Sequence, residues 1–287
     1  MRIAGIDIGG TSIKAAVFDE NMREVFRTAV PTPKGPEAVV DAIAAVLEGQ
    51  NADMVGVGTA GSVSFAHGTV TASNLDWEMV PLRRMLIEKL HLPVWVDNDA
   101  QAALMAEWYD GVCQNVNCAV YLTLGTGIGG AMIVDGKPWR GPNNMGAEFG
   151  HMIIHPEGPR CTCGRPGCLE YYASATALRR MMPGRSAKQI IDAAKAGQKD
   201  ALQVFRAYVR ELCIGLNNLV MIFDPEVIVL GGGISGAGAF LADSCQEELE
   251  RIFAASTDPL YTRVRIARHQ NDAGSLGAAI LARQKLK

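Results

Sequence analysis

The chain has 287 residues, of which 48% are hydrophobic and 20% charged, and its net charge is −3. This length allows two domains with sizeable cores, and the composition is that of a globular protein. The acidic excess argues against a nucleic-acid surface, and no run of about 18 apolar residues predicts a membrane span. The N-terminus begins with an apolar strand instead of a signal peptide, so a cytoplasmic location is expected.

Short apolar strands alternate along the chain with longer amphipathic segments. In the first part, the pattern predicts two strands within 2–17, helices over 37–47, 82–90 and 100–108, and strands over 54–57 and 94–96. In the second part, it predicts strands over 119–124, 131–134 and 227–230, helices over 186–196 and 201–223, and an amphipathic segment over 275–287. This alternation predicts an α/β protein with parallel strands.

Two segments of the chain share one design. Residues 7–19 (DIGGTSIKAAVFD) align without a gap on 123–135 (TLGTGIGGAMIVD), with identities at Gly9/Gly125, Ala15/Ala131 and Asp19/Asp135. Each segment is an apolar strand, a glycine-rich turn, a second apolar strand and an aspartate at its exit. An internal duplication predicts two related lobes with a cleft between them, where small molecules tend to bind. The lobes are predicted over 1–112 and 113–274, with the boundary between Asp110 and Asn117.

The first glycine turn, Gly9-Gly10-Thr11, offers backbone N–H groups and a hydroxyl that suit phosphate oxygens. Lys14 adds a positive charge nearby, and Asp7 is placed to hold Mg²⁺ through water. An ordinary hairpin with an exposed aspartate and lysine is the alternative. The turn is not a Walker P-loop, because no Gly-Lys-Ser/Thr ends it.

The glycine run at 125–130 contains the letters G-x-G-x-x-G, but a strand and not a helix is predicted to follow it. The dinucleotide fingerprint needs a helix there, so a nicotinamide-dependent oxidoreductase is disfavoured. A third glycine run, Gly231-Gly232-Gly233, follows a buried strand and precedes a predicted helix. Its backbone suits the nucleotide end of ATP, with a tight strand-to-helix turn as the alternative.

Four of the potential metal ligands have the spacing H-x9-C-x-C-x4-C. They are His151, Cys161, Cys163 and Cys168. One imidazole and three thiolates form a closed tetrahedral set, as in structural zinc sites. In a reducing compartment such a cluster indicates metal binding more than disulfides, and free buried cysteines are the alternative.

As a set, these motifs resemble the ROK family of bacterial sugar kinases and repressors, within the sugar kinase/actin/Hsp70 superfamily. The resemblance runs from about residue 3 to 283 and rests on 7–19, Asp97-Asn98-Asp99-Ala100, 124–137, 146–151, 161–170 and 223–233. The family often has Glu where Asp97 stands and Pro where Ala60 stands. The Ala60 departure lies beside the family's sugar pocket, so it affects the choice of substrate.

The resemblance implies a two-lobed actin-like ATPase fold of duplicated ribonuclease H-like domains, with 275–287 packing back on the first lobe. It also implies an ATP-dependent kinase that phosphorylates a hexose hydroxyl. Glucose is the first choice; N-acetylmannosamine is the close rival, and mannose, fructose and β-glucosides remain open. ROK repressors carry a preceding helix-turn-helix region, for which the sequence before the first phosphate strand leaves no room. A homodimer is usual in the family.

The resemblance also implies the roles of individual residues. Asp99 becomes the general base; as a residue between a strand and a helix it could also cap the helix, and the two roles can coexist. The sugar ligands are expected to be Gly61, Asn74, Asn98, Asp99, Glu148, His151 and Glu170, with a simple turn role as the alternative for Asn74. The expected ATP and Mg²⁺ contacts are Asp7, Gly9, Gly10, Thr11, Lys14, Gly125, Thr126, Gly127, Gly232 and Gly233. Zinc is expected to orient Glu148, His151 and Glu170.

Two other classes of protein remain to be separated from a kinase. A non-catalytic sugar sensor could use the same fold, but the intact Asp99 and both phosphate turns argue against it. An actin-like filament protein would have no use for the zinc cluster or the sugar ligands.

Overall fold

The computed structural model of the chain describes residues 1–144, 146–255, 257–269 and 272–286. These residues fall into two units, the first made of Met1–Gly111, Arg140–Gly146 and Asn271–Lys287, and the second of Val112–Trp139 and Ala147–Gln270. The sequence-based division placed 140–146 in the C-terminal lobe, whereas this segment groups with the first unit. Its first residue, Arg140, forms an ion pair with Asp97 of that unit.

The first unit contains most of the N-terminal part of the chain. Its elements up to residue 111 are β1 Ile3–Ile8, β2 Ser12–Phe18, β3 Glu24–Pro31, α1 Pro36–Leu47, β4 Met54–Thr59, β5 Ser62–Ser64, β6 Thr69–Ala72, β7 Trp77–Val80, α2 Leu82–Leu90, β8 Val94–Asn98 and α3 Asp99–Asp110. The apolar periodicity located the helices within two residues of their ends, whereas β3 and the small strands β5 to β7 were not predicted.

The second unit follows the same order of elements with more helices. They are β9 Ala119–Leu124, β10 Ile128–Val134, β11 Lys137–Trp139, α4 Leu169–Ala173, α5 Ala175–Met181, α6 Ala187–Lys195, α7 Lys199–Phe223, β12 Val227–Gly231, α8 Ala239–Phe253 and β13 Arg263–Ile266. The last helix, α9 Ala273–Arg283, returns to the first unit. It is shorter than the predicted 275–287, and Lys287 lies outside the described residues. None of the helices in the described ranges is both long and apolar enough to cross a bilayer.

The two large sheets have the same topology. Their strand orders are β3-β2-β1-β4-β8 and β11-β10-β9-β12-β13. In the first sheet, β1 is antiparallel to β2 and parallel to β4, which is parallel to β8. In the second sheet, β9 is antiparallel to β10 and parallel to β12, which is parallel to β13. The repeated order confirms the predicted α/β fold with duplicated domains. A separate sheet in the first unit has the order β5-β6-β7.

The duplicated turns differ in length. Ile8 pairs with Ile13 across the first turn, whereas Leu124 pairs directly with Ile128 across the second. β10 therefore begins three residues earlier than the predicted 131 and includes Gly129 and Gly130. Glycine is required at position 130, because a Cβ there would overlap the Ala147 carbonyl and the Phe149 ring.

Helix α9 packs closely on the first sheet, because small residues face each other. A Cβ at Gly5 or Gly56 would overlap backbone atoms of α9, at Ser275 and Ala278 respectively. A Cβ at Gly277 of α9 would overlap the backbone of Ala102 in α3. These contacts hold β1, which carries Asp7, the neighbouring strand β4, and α3, which begins with Asp99.

Candidate active site

Asn98, the last residue of β8, sets the start of α3. Its Oδ1 accepts the N–H groups of Ala100 at 2.9 Å and Gln101 at 3.3 Å, and its Nδ2 donates to the Gly61 carbonyl at 3.1 Å. The helix cap considered for Asp99 is therefore provided by Asn98, and Asp99 is the first helical residue. Gly61 has a φ of +92°, so glycine suits the position from which its carbonyl meets Asn98.

Two carboxyl groups, Asp99 and Asp7, interact within the first unit. The Asp99 carboxylate accepts the Ala100 N–H at 2.8 Å, and burial raises its pKa. Burial and then the charge of Asp99 raise the pKa of Asp7 to about 6, with Lys14 acting in the opposite direction. Lys14 pairs with Asp7 across the β1–β2 ladder. Because two neighbouring carboxyl groups share one lysine, a bound cation would stabilise their ionised forms.

The Asp7 pKa predicts a pH effect on stability. The folded protein holds the Asp7 proton up to pH about 6, whereas the unfolded chain loses it near 3.8. Below pH 3.8 Asp7 is therefore protonated in both states and does not lower the free energy of unfolding. As the pH rises from there through about 6, the free energy of unfolding falls, because only the unfolded chain ionises Asp7 freely. A shift of this size corresponds to roughly 3 kcal/mol.

An Asp7→Asn variant, measured without divalent cations, should therefore unfold at a higher temperature than the wild type at pH 7.5, and the difference should be clearly smaller at pH 4.5. Thermal unfolding at the two pH values checks this. Equal stabilisation at both would contradict the assignment of the shift to Asp7.

The first glycine turn leaves two residues exposed. The Gly9 N–H closes the turn on the Ser12 carbonyl at 3.0 Å, while Gly10 and Thr11 face solvent. Thr32 holds the turn from behind, because its hydroxyl donates to the Gly9 carbonyl at 2.6 Å. Sequence reasoning missed Thr32, whose role depends on the pairing of β2 with β3. Asn74, in a short 3₁₀ turn, lies beside Gly10.

Helices α4 and α5 hold the second turn, Gly125 to Gly127. The Gly125 carbonyl accepts the Ala175 N–H at 2.8 Å, and the Thr126 carbonyl accepts the Thr176 hydroxyl at 2.8 Å. Glu170 accepts the Ile128 N–H at 2.8 Å and closely approaches Gly127. Glu170, predicted as a sugar ligand, thus also buttresses this turn.

A cavity of about 410 Å³ in the second unit begins at this turn. Its lining residues include Thr126, Ala175, Arg179, Lys188, Ile191, Asp192, Gly233, Ile234 and Ala237. Thr126 and Gly233 were predicted as nucleotide contacts. Gly232 is not among the lining residues; it has a φ of +78° and packs against the backbone of Leu124, where a side chain would collide. Sequence reasoning missed the wall formed by α5 and α6, although the capping box at Ser186 marks where α6 begins.

The four predicted metal ligands lie together. The ligand atoms of His151, Cys161, Cys163 and Cys168 are all within 4.8 Å of one another. The Cys163 and Cys168 sulfurs are 3.6 Å apart, and the Cys161 sulfur is 3.8 Å from His151 Nδ1. Two thiolates on one tetrahedral zinc, each at about 2.3 Å, are roughly 3.8 Å apart, so the cluster fits zinc. His151 directs Nδ1 at the cluster, which leaves Nε2 for another contact.

Glu148 lies three residues before His151 and is exposed. A 3₁₀ turn, Phe149–His151, separates them, and the His151 N–H donates to the Glu148 carbonyl at 3.0 Å. The side chain of Glu170 also reaches the cluster, with Oε1 3.6 Å from the Cys161 sulfur. Within the second unit, Glu170 and the Cys/His cluster thus form one group of contacts, with Glu148 joined to it through the short turn.

Two copies of one five-stranded sheet, each with a glycine turn after its first strand, define the sugar kinase/actin/Hsp70 class of fold. The sequence model of the ROK family matches residues 3–285, and the chain belongs to this family. The resemblance read from the motifs is therefore confirmed.

Similar proteins extend along the whole chain. A glucokinase of Streptomyces coelicolor is 37% identical over a 307-residue alignment that covers 98% of this chain and 97% of the glucokinase. An N-acetylmannosamine kinase of Salmonella typhi is 32% identical over 292 residues, with 98% of both chains covered. The crystal structure of a ROK family glucokinase from Streptomyces griseus in complex with glucose and AMPPNP has a TM-score of 0.86 and 36% identity, and covers 99% of this chain and 100% of that one.

Proposed function

We propose that the protein is an ATP-dependent sugar kinase that transfers the γ-phosphoryl group of ATP to glucose, giving glucose 6-phosphate. The observation that carries the proposal is the half-buried Asp99 at the start of α3, whose charge acts on Asp7 in β1, the strand that leads into the first glycine turn. The glucokinases of Streptomyces support it, since they match this chain over nearly its full length.

Asp99 acts as the general base. Its carboxylate accepts the proton of the 6-hydroxyl as the oxygen attacks the γ-phosphorus and ADP leaves. Burial raises the pKa of Asp99, which makes it a stronger proton acceptor than an exposed aspartate. The proposed ligands of the other sugar hydroxyls are Gly61, Asn74, Asn98, Glu148, His151 and Glu170.

The nucleotide is proposed to bind at the two glycine turns. Thr126 and Gly233 line the cavity of the second unit, whose apolar wall suits a nucleobase. Backbone N–H groups of Gly10 and Thr11, with Lys14, would face the phosphates, and Gly9, Gly125, Gly127 and Gly232 shape the turns. Mg²⁺, held through Asp7 by way of water, would neutralise charge on the phosphates; Asp7 fits this role because its own charge is poorly compensated.

A zinc ion at His151, Cys161, Cys163 and Cys168 is proposed as a structural part of the sugar site. The four ligand atoms lie within 4.8 Å of one another, and the pairs Cys163–Cys168 and Cys161–His151 are at 3.6 and 3.8 Å, close to the separation on one tetrahedral ion. The three cysteines can bind zinc only as thiolates, and thiols stay reduced in a reducing compartment. This supports the proposal of a cytoplasmic location. A homodimer is proposed as well, and the exposed apolar residues Met221 and Ile222 at the end of α7 are suited to such a contact.

N-acetylmannosamine is the second candidate substrate, favoured by the Salmonella typhi kinase. The test is a panel of glucose, mannose, fructose, N-acetylglucosamine and N-acetylmannosamine with Mg-ATP and zinc-replete protein. Glucose is expected to give the highest kcat/KM. If kcat/KM is highest with N-acetylmannosamine, that sugar is the substrate instead of glucose. If a sugar binds without ATP consumption, the protein is a sensor and not a kinase.

A further inference from the structure

Asp97 and Arg140 form a forked ion pair inside the first unit. Arg140 Nε lies 3.2 and 3.1 Å from the two Asp97 carboxylate oxygens, and its Nη2 bonds one of them as well. The side chains are only 8% and 20% exposed. A buried carboxylate held on two sides by a planar guanidinium is fixed in position as well as neutralised.

The pair continues into the residues proposed to act on the substrate. Asp97 also accepts the backbone N–H of Asn98 at 2.9 Å, and Asn98 caps α3 and bonds Gly61. Asp99 follows directly. The Asp97 carboxylate is therefore hydrogen-bonded to the residue that caps α3.

Arg140 is itself held in place. Its guanidinium lies 4.7 Å from the centre of the Phe65 ring, and the ammonium group of Lys285 is 4.3 Å from the same centre. The Arg140 carbonyl accepts the Gly146 N–H at 2.9 Å, which closes the segment between them into a loop. That loop joins the first unit although the chain on both sides of it belongs to the second unit.

We propose that Arg140 is a positioning residue: through Asp97 it fixes Asn98 and the base Asp99 in the geometry that catalysis requires. This rests on the proposed kinase function for its catalytic consequence. Arg140 touches none of the reacting atoms. Removing it leaves a buried carboxylate without its guanidinium partner, with Lys285 as the remaining nearby positive charge, so Asp97 shifts and the hydrogen bond to Asn98 is released.

The main difficulty is to separate positioning from the cost of a buried charge. Arg140→Met destabilises the fold simply because Asp97 is left unpaired. The double variant Asp97→Asn/Arg140→Met has no buried charge and should recover the melting temperature of the wild type. It lacks the fork, however, and should not recover kcat. Arg140→Lys, which keeps the charge without the fork, should fall between the wild type and Arg140→Met.

We therefore expect kcat to fall about 10- to 100-fold in both Arg140→Met and the double variant. The KM for Mg-ATP should change less than about twofold, because the proposed nucleobase cavity lies in the other unit. Arg27→Met is the matched control: Arg27 pairs with Glu24 and Asp272 in the first unit, far along the chain from β8. Its kcat should be that of the wild type.

Hydrogen exchange of the backbone amides of 97–103 provides a readout that needs no substrate. Exchange should be faster than in the wild type in Arg140→Met and in the double variant, and unchanged in Arg27→Met. Recovery of both kcat and amide protection in the double variant would overturn the proposal, since the pair would then matter only as a buried charge. A wild type that phosphorylates no sugar would reject the proposed function, while the exchange result would still decide whether Arg140 orders this segment.

Discussion

Asp99→Asn is expected to lower kcat about 10³-fold for the preferred sugar, within the range that removal of a general base produces. The amide is close in shape to the carboxylate and can still hydrogen-bond a sugar hydroxyl, but it cannot accept the proton. The KM for the sugar should therefore change little. Steady-state kinetics at saturating Mg-ATP measures both quantities.

The same substitution should leave the fold intact or make it more stable. Burial raises the pKa of Asp99, which means that holding the ionised carboxylate in the fold costs free energy relative to exposing it to water. A neutral amide removes that penalty, and the start of α3 is held by Asn98 instead. Asp110→Asn, an exposed position in the last turn of the same helix, serves as the control and should retain full activity. An Asp99→Asn variant with near-normal kcat would reject this residue as the base.

The sequence allowed the repeated sheets to be predicted because apolar runs and glycine turns are local signals. The gapless alignment of 7–19 with 123–135 located both turns, and the structure places them after equivalent strands. It did not reveal that the second turn is shorter, because strand register depends on contacts such as that of Gly130 with Phe149. These contacts involve residues outside the turn, at Ala147 and Phe149.

The limits of sequence reasoning are clearest at Arg140. The residue has no local signature, and its partner Asp97 is 43 positions away. Asn98 was predicted as a sugar ligand, yet much of its side chain is used to cap α3 and to bond Gly61. The Cys/His cluster, by contrast, could be predicted from the sequence, because its residue types and their spacing are typical of a metal site.

Loss of zinc is the second change with a large expected effect. Cys163→Ser removes one thiolate from the cluster formed with His151, Cys161 and Cys168. A hydroxyl is a far weaker zinc ligand than a thiolate, so the variant should contain much less than one zinc ion per chain. Cys118→Ser, a partly buried cysteine outside the cluster, is the control and should keep its zinc.

Sugar affinity should fall with the zinc content. His151 belongs to the cluster, and Glu170 lies 3.6 Å from the Cys161 sulfur, so an unliganded loop no longer holds these two side chains. We expect the KM for the sugar to rise about 10- to 100-fold, the loss typical when the support of a metal site is removed. The KM for Mg-ATP should rise less, although Glu170 also bonds Ile128 next to the second glycine turn.

Chelation of the wild type distinguishes the effect of losing the zinc ion from the effect of losing the Cys163 thiol. Protein stripped of zinc should show the same rise in sugar KM as Cys163→Ser, and adding Zn²⁺ back should restore the wild type but not the variant. Zinc analysis and sugar kinetics on the same samples test this directly. A zinc-free protein with normal sugar affinity would show that the cluster folds the loop without orienting His151 and Glu170. Sugar binding would then depend on Asn98 and the other residues of the first unit, whose positions are set by Asp97 and the start of α3 instead of by the metal.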